Sequence, residues 1–274
     1  MQIRDRMRGT GSYWGNARGR WVSGNVSPTG AAGILGTALV LSGCALEEEA
    51  ETSGELARET FGASVEKRPI EGRIIGSGDA TYLLLGVIHG NEPLGADLLE
   101  RFAEHAALHP SLLEGKRLVI VPVLNPDGLA RGSRTNARGV DLNRNFPART
   151  WRRGPRHGAA PSSEPETRVI QRLIRRFEPE RILSVHSPLH CVNFDGPARN
   201  LAGAMARAAR YPLRASIGYS TPGSLGSYAG GDLEIPNITL ELGPKETKER
   251  AWRGLRAALE VFVTHPTGAA EPGE

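Results

Sequence analysis

His89-Gly90-Asn91-Glu92, His186 and Glu241 are residues of this chain whose types can do chemistry together. The first group follows an apolar run, His186 ends a second, and Glu241 closes a third, Asn237-Ile238-Thr239-Leu240-Glu241. Two imidazoles and a carboxylate are the ligand set of an open catalytic zinc site, with a fourth position left for water. A further carboxylate nearby is what such a site needs to take a proton from that water. A lone His-x-x-Glu says little, because many surface helices contain it. Placed at a strand-to-helix turn, with a distant His and Glu at strand ends, it predicts metal-assisted hydrolysis.

The elements that must position these residues are legible as alternating patterns. Residues 82–88 and 118–124 read as buried strands, the second closed by the turn Asn125-Pro126-Asp127-Gly128. A helix is expected from Pro93 to about Ala107, with Pro in its first turn. Ser163-Glu164-Pro165-Glu166 reads as a capping box opening a helix whose Val169, Ile170, Leu173, Ile174 and Phe177 share one face. Residues 182–185 and 238–240 read as further strands, and a last helix runs from about 246 to 263. This alternation predicts an α/β fold: a single domain with a mixed, mostly parallel sheet and helices on both faces. In such sheets chemistry gathers where strands end, so chain-distant residues at neighbouring strand ends can meet.

The bulk properties narrow the partners. At 274 residues the chain can hold one large domain, and it has no apolar run long enough for a spanning helix. Its formal charge of +4 comes from 34 basic and 30 acidic residues, but residues 1–43 carry five Arg and one Asp, leaving 29 of each sign beyond them. No basic patch is implied, so no nucleic-acid partner is expected. The Arg-bearing start, the short apolar stretch 31–41 and Leu41-Ser42-Gly43-Cys44 describe a lipoprotein-type export signal. Residues 1–43 are then the signal peptide, with lipidation at Cys44 and a membrane anchor at the cell-envelope face. Residues 44–60 read as an acidic tether, 61–265 as the catalytic domain and 266–274 as a tail. Cys191 has no disulfide partner and is expected to be a small buried hydrophobe.

The motifs His89-x-x-Glu92, Gly139-Val140-Asp141-Leu142-Asn143-Arg144-Asn145-Phe146, Ser184-Val185-His186-Ser187 and Thr239-Leu240-Glu241 resemble those of the zinc metallocarboxypeptidases, over about residues 61–263. Ser163 to Thr167 and Gly218 to Tyr228 are most similar to members that cut murein peptides between γ-D-glutamate and meso-diaminopimelate. The resemblance implies one zinc ion held by His89, Glu92 and His186, with Asp141 accepting the other ring N–H of His89. It implies Glu241 as the base, Asn143 and Arg144 gripping the substrate's free carboxylate, and Tyr219 closing over the bound substrate. Arg134 is the candidate donor to the developing oxyanion. Ser187-Pro188 is expected to adopt the cis form that the family often has there.

Rival readings remain at this level. An N-acyl amino-acid deacylase of aspartoacylase type shares the His-Gly-Asn-Glu start and an Asp-Leu-Asn-Arg stretch, whereas a non-catalytic wall-binding lipoprotein is expected to have lost a ligand or the base. Asp141 and Arg144 could form a structural ion pair, and Tyr219 could simply pack in its loop. Leu225-Gly226, where the family sets side-chain preference, offers no charge, which leaves Asn193 or Asp232 as candidates for selectivity. His105 and His109 read as exposed helix residues, and 149–156 as a solvated Arg-rich loop at the site rim.

Overall fold

Continuous apolar runs become strands covered on both faces. In the computed structural model, which describes residues 57–266, an eight-stranded mixed sheet runs in the order β1-β2-β4-β3-β5-β8-β6-β7. The strands are β1 (Glu59–Ala63), β2 (Pro69–Ile75), β3 (Ala80–Leu85), β4 (Lys116–Val121), β5 (Arg181–His186), β6 (Cys191–Asp195), β7 (Leu213–Arg214) and β8 (Asn237–Glu241). The central β4-β3-β5-β8 block is parallel, β6 and β7 pair parallel, and antiparallel pairings join β1 to β2, β2 to β4 and β6 to β8.

Five helices connect or cover these strands: α1 (Leu94–Leu108), α2 (Pro126–Arg131), α3 (Pro165–Phe177), α4 (Arg199–Ala209) and α5 (Lys248–Thr264). Alternate side chains of each central strand enter opposite cores, as a pleated strand requires. Leu84, Leu118, Ile120, Leu183 and Val185 pack against α1, α4 and α5. Leu83, Leu85, Val119, Val121 and Ile182 pack against α3 and the segments bearing Leu142, Phe146 and Leu225. Expected and observed architecture agree.

Several local expectations change. The turn after β4 opens α2 instead of ending a strand, because the Asn125 side chain caps it by accepting from Gly128 N–H at 2.9 Å. Ser163 and Glu166 do not form a capping box: Glu164 is the N-cap residue of α3 and makes no side-chain cap. Glu166 accepts instead from Val65 N–H at 3.0 Å and Asn136 Nδ2 at 3.2 Å, so long-range partners have taken the capping carboxylate. His105 is not an exposed helix residue; it bonds Glu260 at 2.8 Å and packs edge-on to Trp252 of α5, while His109 is exposed. Cys191 is free and fully buried. Among the described residues no helix is long and apolar enough to cross a membrane. Cys44, the signal segment and most of the acidic stretch lie outside the described residues.

Candidate metal centre and substrate cleft

The chain leaves β3 through a turn that is held from all sides. Val87 adopts a φ of +46°, rare for a β-branched residue, and its carbonyl accepts from Asn125 N–H at 3.0 Å. Gly90 then passes so close to α2 that a Cβ there would stand 2.0 Å from the Gly128 carbonyl carbon. Only glycine fits at position 90, which explains the second residue of the His-Gly-Asn-Glu motif. Glu92 sits one residue before Pro93 and the first turn of α1. His186 arrives from the end of β5, and sheet register sets it directly beside Glu241 of β8.

Side-chain atoms of His89, Glu92 and His186, all buried, lie within 4.8 Å of one another. His89 Nδ1 is 2.9 Å from Glu92 Oε1, His186 Nδ1 is 2.9 Å from Glu92 Oε2, and the two Nδ1 atoms are 3.1 Å apart. Asp141 Oδ1 lies 3.1 Å from His89 Nε2, and Asn143 N–H also donates to it at 3.0 Å. With the Nε2 proton directed at Asp141, His89 presents Nδ1 as a lone pair toward the other two donors. Two imidazole nitrogens and a carboxylate aimed at one point, in a buried setting, fit a divalent cation of zinc type.

The electrostatics follow from the same contacts. Burial would raise the Glu92 carboxyl, but the charge and hydrogen bond of His186 and those of His89 outweigh it and hold it at about 2. Burial works against a charged His89, yet its hydrogen bonds to the Asp141 and Glu92 carboxylates raise its pKa. Asp141 is held well below the ordinary range: burial opposes this, and the His89 contact and the nearby Arg134 and Arg144 charges prevail. Glu241 goes the other way. Burial lifts its carboxyl, opposed by the His186 charge and by Leu189 N–H, which donates at 3.3 Å. A base shielded from bulk water and directed into a cleft is well placed to accept a proton.

Glu92, His186 and Glu241 line a cleft of about 210 Å³ together with Arg134, Asn143, Arg144 and Tyr219. Every residue expected to bind metal, act in catalysis or grip the substrate carboxylate therefore reaches this region, with Asp141 behind His89. Arg134 donates from Nε to Asp141 at 3.0 Å and from Nη1 to Glu92 at 3.4 Å. Asp141 thus pairs with Arg134, and the alternative Asp141–Arg144 ion pair is absent. Arg144 donates at 2.6 Å to the carbonyl of Asn143 and forms no ion pair among the described residues. Asn143 Oδ1 accepts from Leu225 N–H at 2.8 Å, which leaves its Nδ2 to donate into the cleft. Tyr219 is 56 % exposed at the mouth, so it is not packed away in its loop. The Ser187-Pro188 bond is cis, as expected.

Of the two candidates for selectivity, Asn193 lines the cleft with its amide donating to Arg214 O at 2.7 Å. Asp232 does not line it, because its carboxylate is taken by Arg149 N–H at 2.6 Å and Nε at 2.9 Å. Sequence reasoning missed Asp195, which lines the cleft, and Asn136, which shapes the loop leading to Asp141. Asn136 Oδ1 accepts from Arg138 and Val140 N–H, and its Nδ2 donates to Glu164 and Glu166. The Asn-to-Glu spacing across 28 residues left no local signal of this contact.

Comparison with known proteins agrees with this geometry. The zinc carboxypeptidase family profile matches residues 46–262. Murein peptide amidase A of Escherichia coli (strain K12) is 36 % identical over 206 residues, covering 69 % of this chain and 82 % of that protein. The crystal structure of the murein-tripeptide amidase from Escherichia coli O157 superposes with a TM-score of 0.67 and 31 % identity, covering 78 % of this chain and 95 % of that one. Carboxypeptidase A from Helicoverpa armigera, at 19 % identity and a TM-score of 0.65 over 77 % of this chain and 69 % of that one, shares the fold. The chain belongs to the zinc carboxypeptidase family of zinc-dependent hydrolases.

Proposed function

We propose that the chain is a one-zinc peptidase/amidase that hydrolyses the amide bond to a C-terminal, carboxylate-bearing residue. Its substrate in this reading is the γ-D-glutamyl-meso-diaminopimelate bond of murein peptides. The observation that carries it is the joint placement, in one cleft, of the His89–Glu92–His186 cluster, the buried Glu241 and an unpaired Arg144. The 36 % identity to a murein peptide amidase supports the choice of substrate.

His89, Glu92 and His186 hold the metal, and Asp141 fixes the tautomer and orientation of His89. A bound zinc ion supplies a Lewis acid for the carbonyl and a water of lowered pKa. Glu241 takes the proton from the attacking water and passes it to the leaving amine. Arg144, its guanidinium free of any carboxylate, grips the substrate's terminal carboxylate as a fork, with the Asn143 amide beside it. Arg134 faces the carbonyl oxygen from the Glu92 side, and Tyr219 covers the mouth. Digestion of the defined tripeptide L-alanyl-γ-D-glutamyl-meso-diaminopimelate, followed by mass analysis, tests this. Free diaminopimelate is the expected product; an intact peptide, or cleavage at the alanyl bond, contradicts it.

The same reading places the enzyme outside the inner membrane, held by lipid on Cys44 after removal of residues 1–43. It rests on the Arg-bearing start, the short apolar stretch and Leu41-Ser42-Gly43-Cys44. Membrane fractionation of wild type and Cys44→Ala checks it: only the wild type should sediment with membranes.

A further inference from the structure

The proposed reaction asks Glu241 to present one carboxylate oxygen to the attacking water, and the turn beside it governs how that side chain is held. Glu241 ends β8 between two neighbours in the sheet, His186 at the end of β5 and Cys191 at the start of β6. The chain joins those neighbours through residues 187–190, which must bridge the end of β8. Backbone amides in such a bridge need acceptors, and the end of β8 supplies them. Leu189 N–H donates to Glu241 Oε2 at 3.3 Å and His190 N–H to the Leu242 carbonyl at 3.3 Å. Leu242 N–H donates back to the His186 carbonyl at 2.7 Å. Ser187 N–H reaches Glu92 Oε2 at 3.3 Å, so one turn touches both the metal-binding carboxylate and the base.

The conformation that allows this sits at His190. Its φ is +51°, in the left-handed region, where histidine and asparagine are enriched several-fold and a β-branched residue is an outlier. The His190 ring is exposed on one side and stands edge-on to Tyr211 on the other, with centroids 4.1 Å apart at 81°. Tyr211 is itself fixed. Its N–H donates to the Ala206 carbonyl at 3.0 Å, its hydroxyl donates to Glu246 at 3.2 Å, and its ring packs against the core under α4 and α5. The cleft takes Ser187, Pro188 and Leu189 from this turn and leaves His190 out.

We propose that His190 is a positioning residue for the general base. Its left-handed backbone, held by the Tyr211 contact, aims Leu189 N–H at Glu241 Oε2 and leaves Oε1 as the oxygen that takes the proton. His190 acts on the reaction only through that carboxylate. The proposal rests on the reading of Glu241 as base, but not on murein as the substrate.

The test measures kcat, KM and zinc content of wild type, His190→Val, His190→Ala and His190→Asn on a carboxylate-terminated peptide that wild type cleaves. Each His190 variant is also combined with Glu241→Gln. Valine, which resists the left-handed region, should lower kcat about 10-fold through misplacement of the base, with KM and zinc content unchanged. Alanine should lower kcat less, and it keeps the test open if the valine chain does not fold. Asparagine, which accepts that region, should restore the wild-type rate. In the Glu241→Gln background, valine and alanine should cost nothing further, because residues that act as one unit are not additive. A wild-type kcat in folded His190→Val, or in His190→Ala where valine does not fold, overturns the proposal. So does a rate for His190→Asn no better than that of alanine, an equal fractional loss in both backgrounds, or a loss expressed in KM or zinc content. Wild-type turnover by Glu241→Gln alone is a different failure: it removes the base reading itself, and the proposal with it.

Discussion

The two ends of the cleft are built differently. At the metal end, each group is fixed by several neighbours: Glu92 touches both imidazoles and the Ser187 N–H, and Asp141 holds His89, Asn143 and Arg134. At the substrate end, Arg144 and Asp195 lack ionic partners, and Tyr219 is exposed. One end is held by contacts within the protein. The other is a set of unpaired charges that only a ligand completes. Pre-organisation of the first lets the ion be held with little rearrangement, and incompleteness of the second lets the substrate supply the missing contacts.

This contrast predicts different failures at each end. The largest effect belongs to His186→Ala, which removes a ligand: zinc content should fall toward zero and hydrolysis to background, read by metal analysis and product release together. Acidification should act the same way by degrees. His89 must be unprotonated to bind metal, and Asp141 and Glu92 favour its proton, so zinc is released as pH falls. Retention of a full equivalent of zinc by His186→Ala would break the comparison. Next in size, Arg144→Ala should keep its zinc and lose about 100-fold in kcat/KM on carboxylate-terminated peptides. The same variant should lose little on a peptide amidated at its C-terminus, and an equal loss on both would take the carboxylate grip away from Arg144.

The smallest effect sharpens the contrast from behind the metal. Asn136→Ala leaves the Glu164 and Glu166 carboxylates without a shared donor and the 138–140 turn without its acceptor. It should cost about 1–3 kcal/mol of stability by denaturant unfolding. An unchanged midpoint would show that the turn presenting Asp141 holds itself.

Legibility in the sequence followed the same division. The central strands were visible because both faces are buried, so 82–85 and 118–121 are apolar without a break. The ligands were visible because His89 and Glu92 share one turn and His186 and Glu241 end such strands. β1, β2 and α4 were not: β1 mixes Glu, Thr and Gly at a sheet edge, and α4 buries mostly Ala beside Leu201 and Met205, a weak amphipathic signal. Asp195 was missed because its meaning lies in the space above Gly226, and a glycine in a sequence does not say what fills the place of its side chain. Glu166 misled for the opposite reason: its local spacing matched a cap, but Val65 and Asn136 claimed the carboxylate from far along the chain.

The central claim is a division of labour between two buried carboxylates that differ in partners, Glu92 as ligand and Glu241 as base. Calorimetric titration of metal-free Glu241→Gln with zinc, with turnover of the loaded protein measured on the same sample, tests it most directly. One equivalent bound with wild-type affinity and a rate lowered by about 10²–10⁴-fold is the predicted result. Loss of zinc binding in that variant, or a wild-type rate with zinc in place, would contradict it.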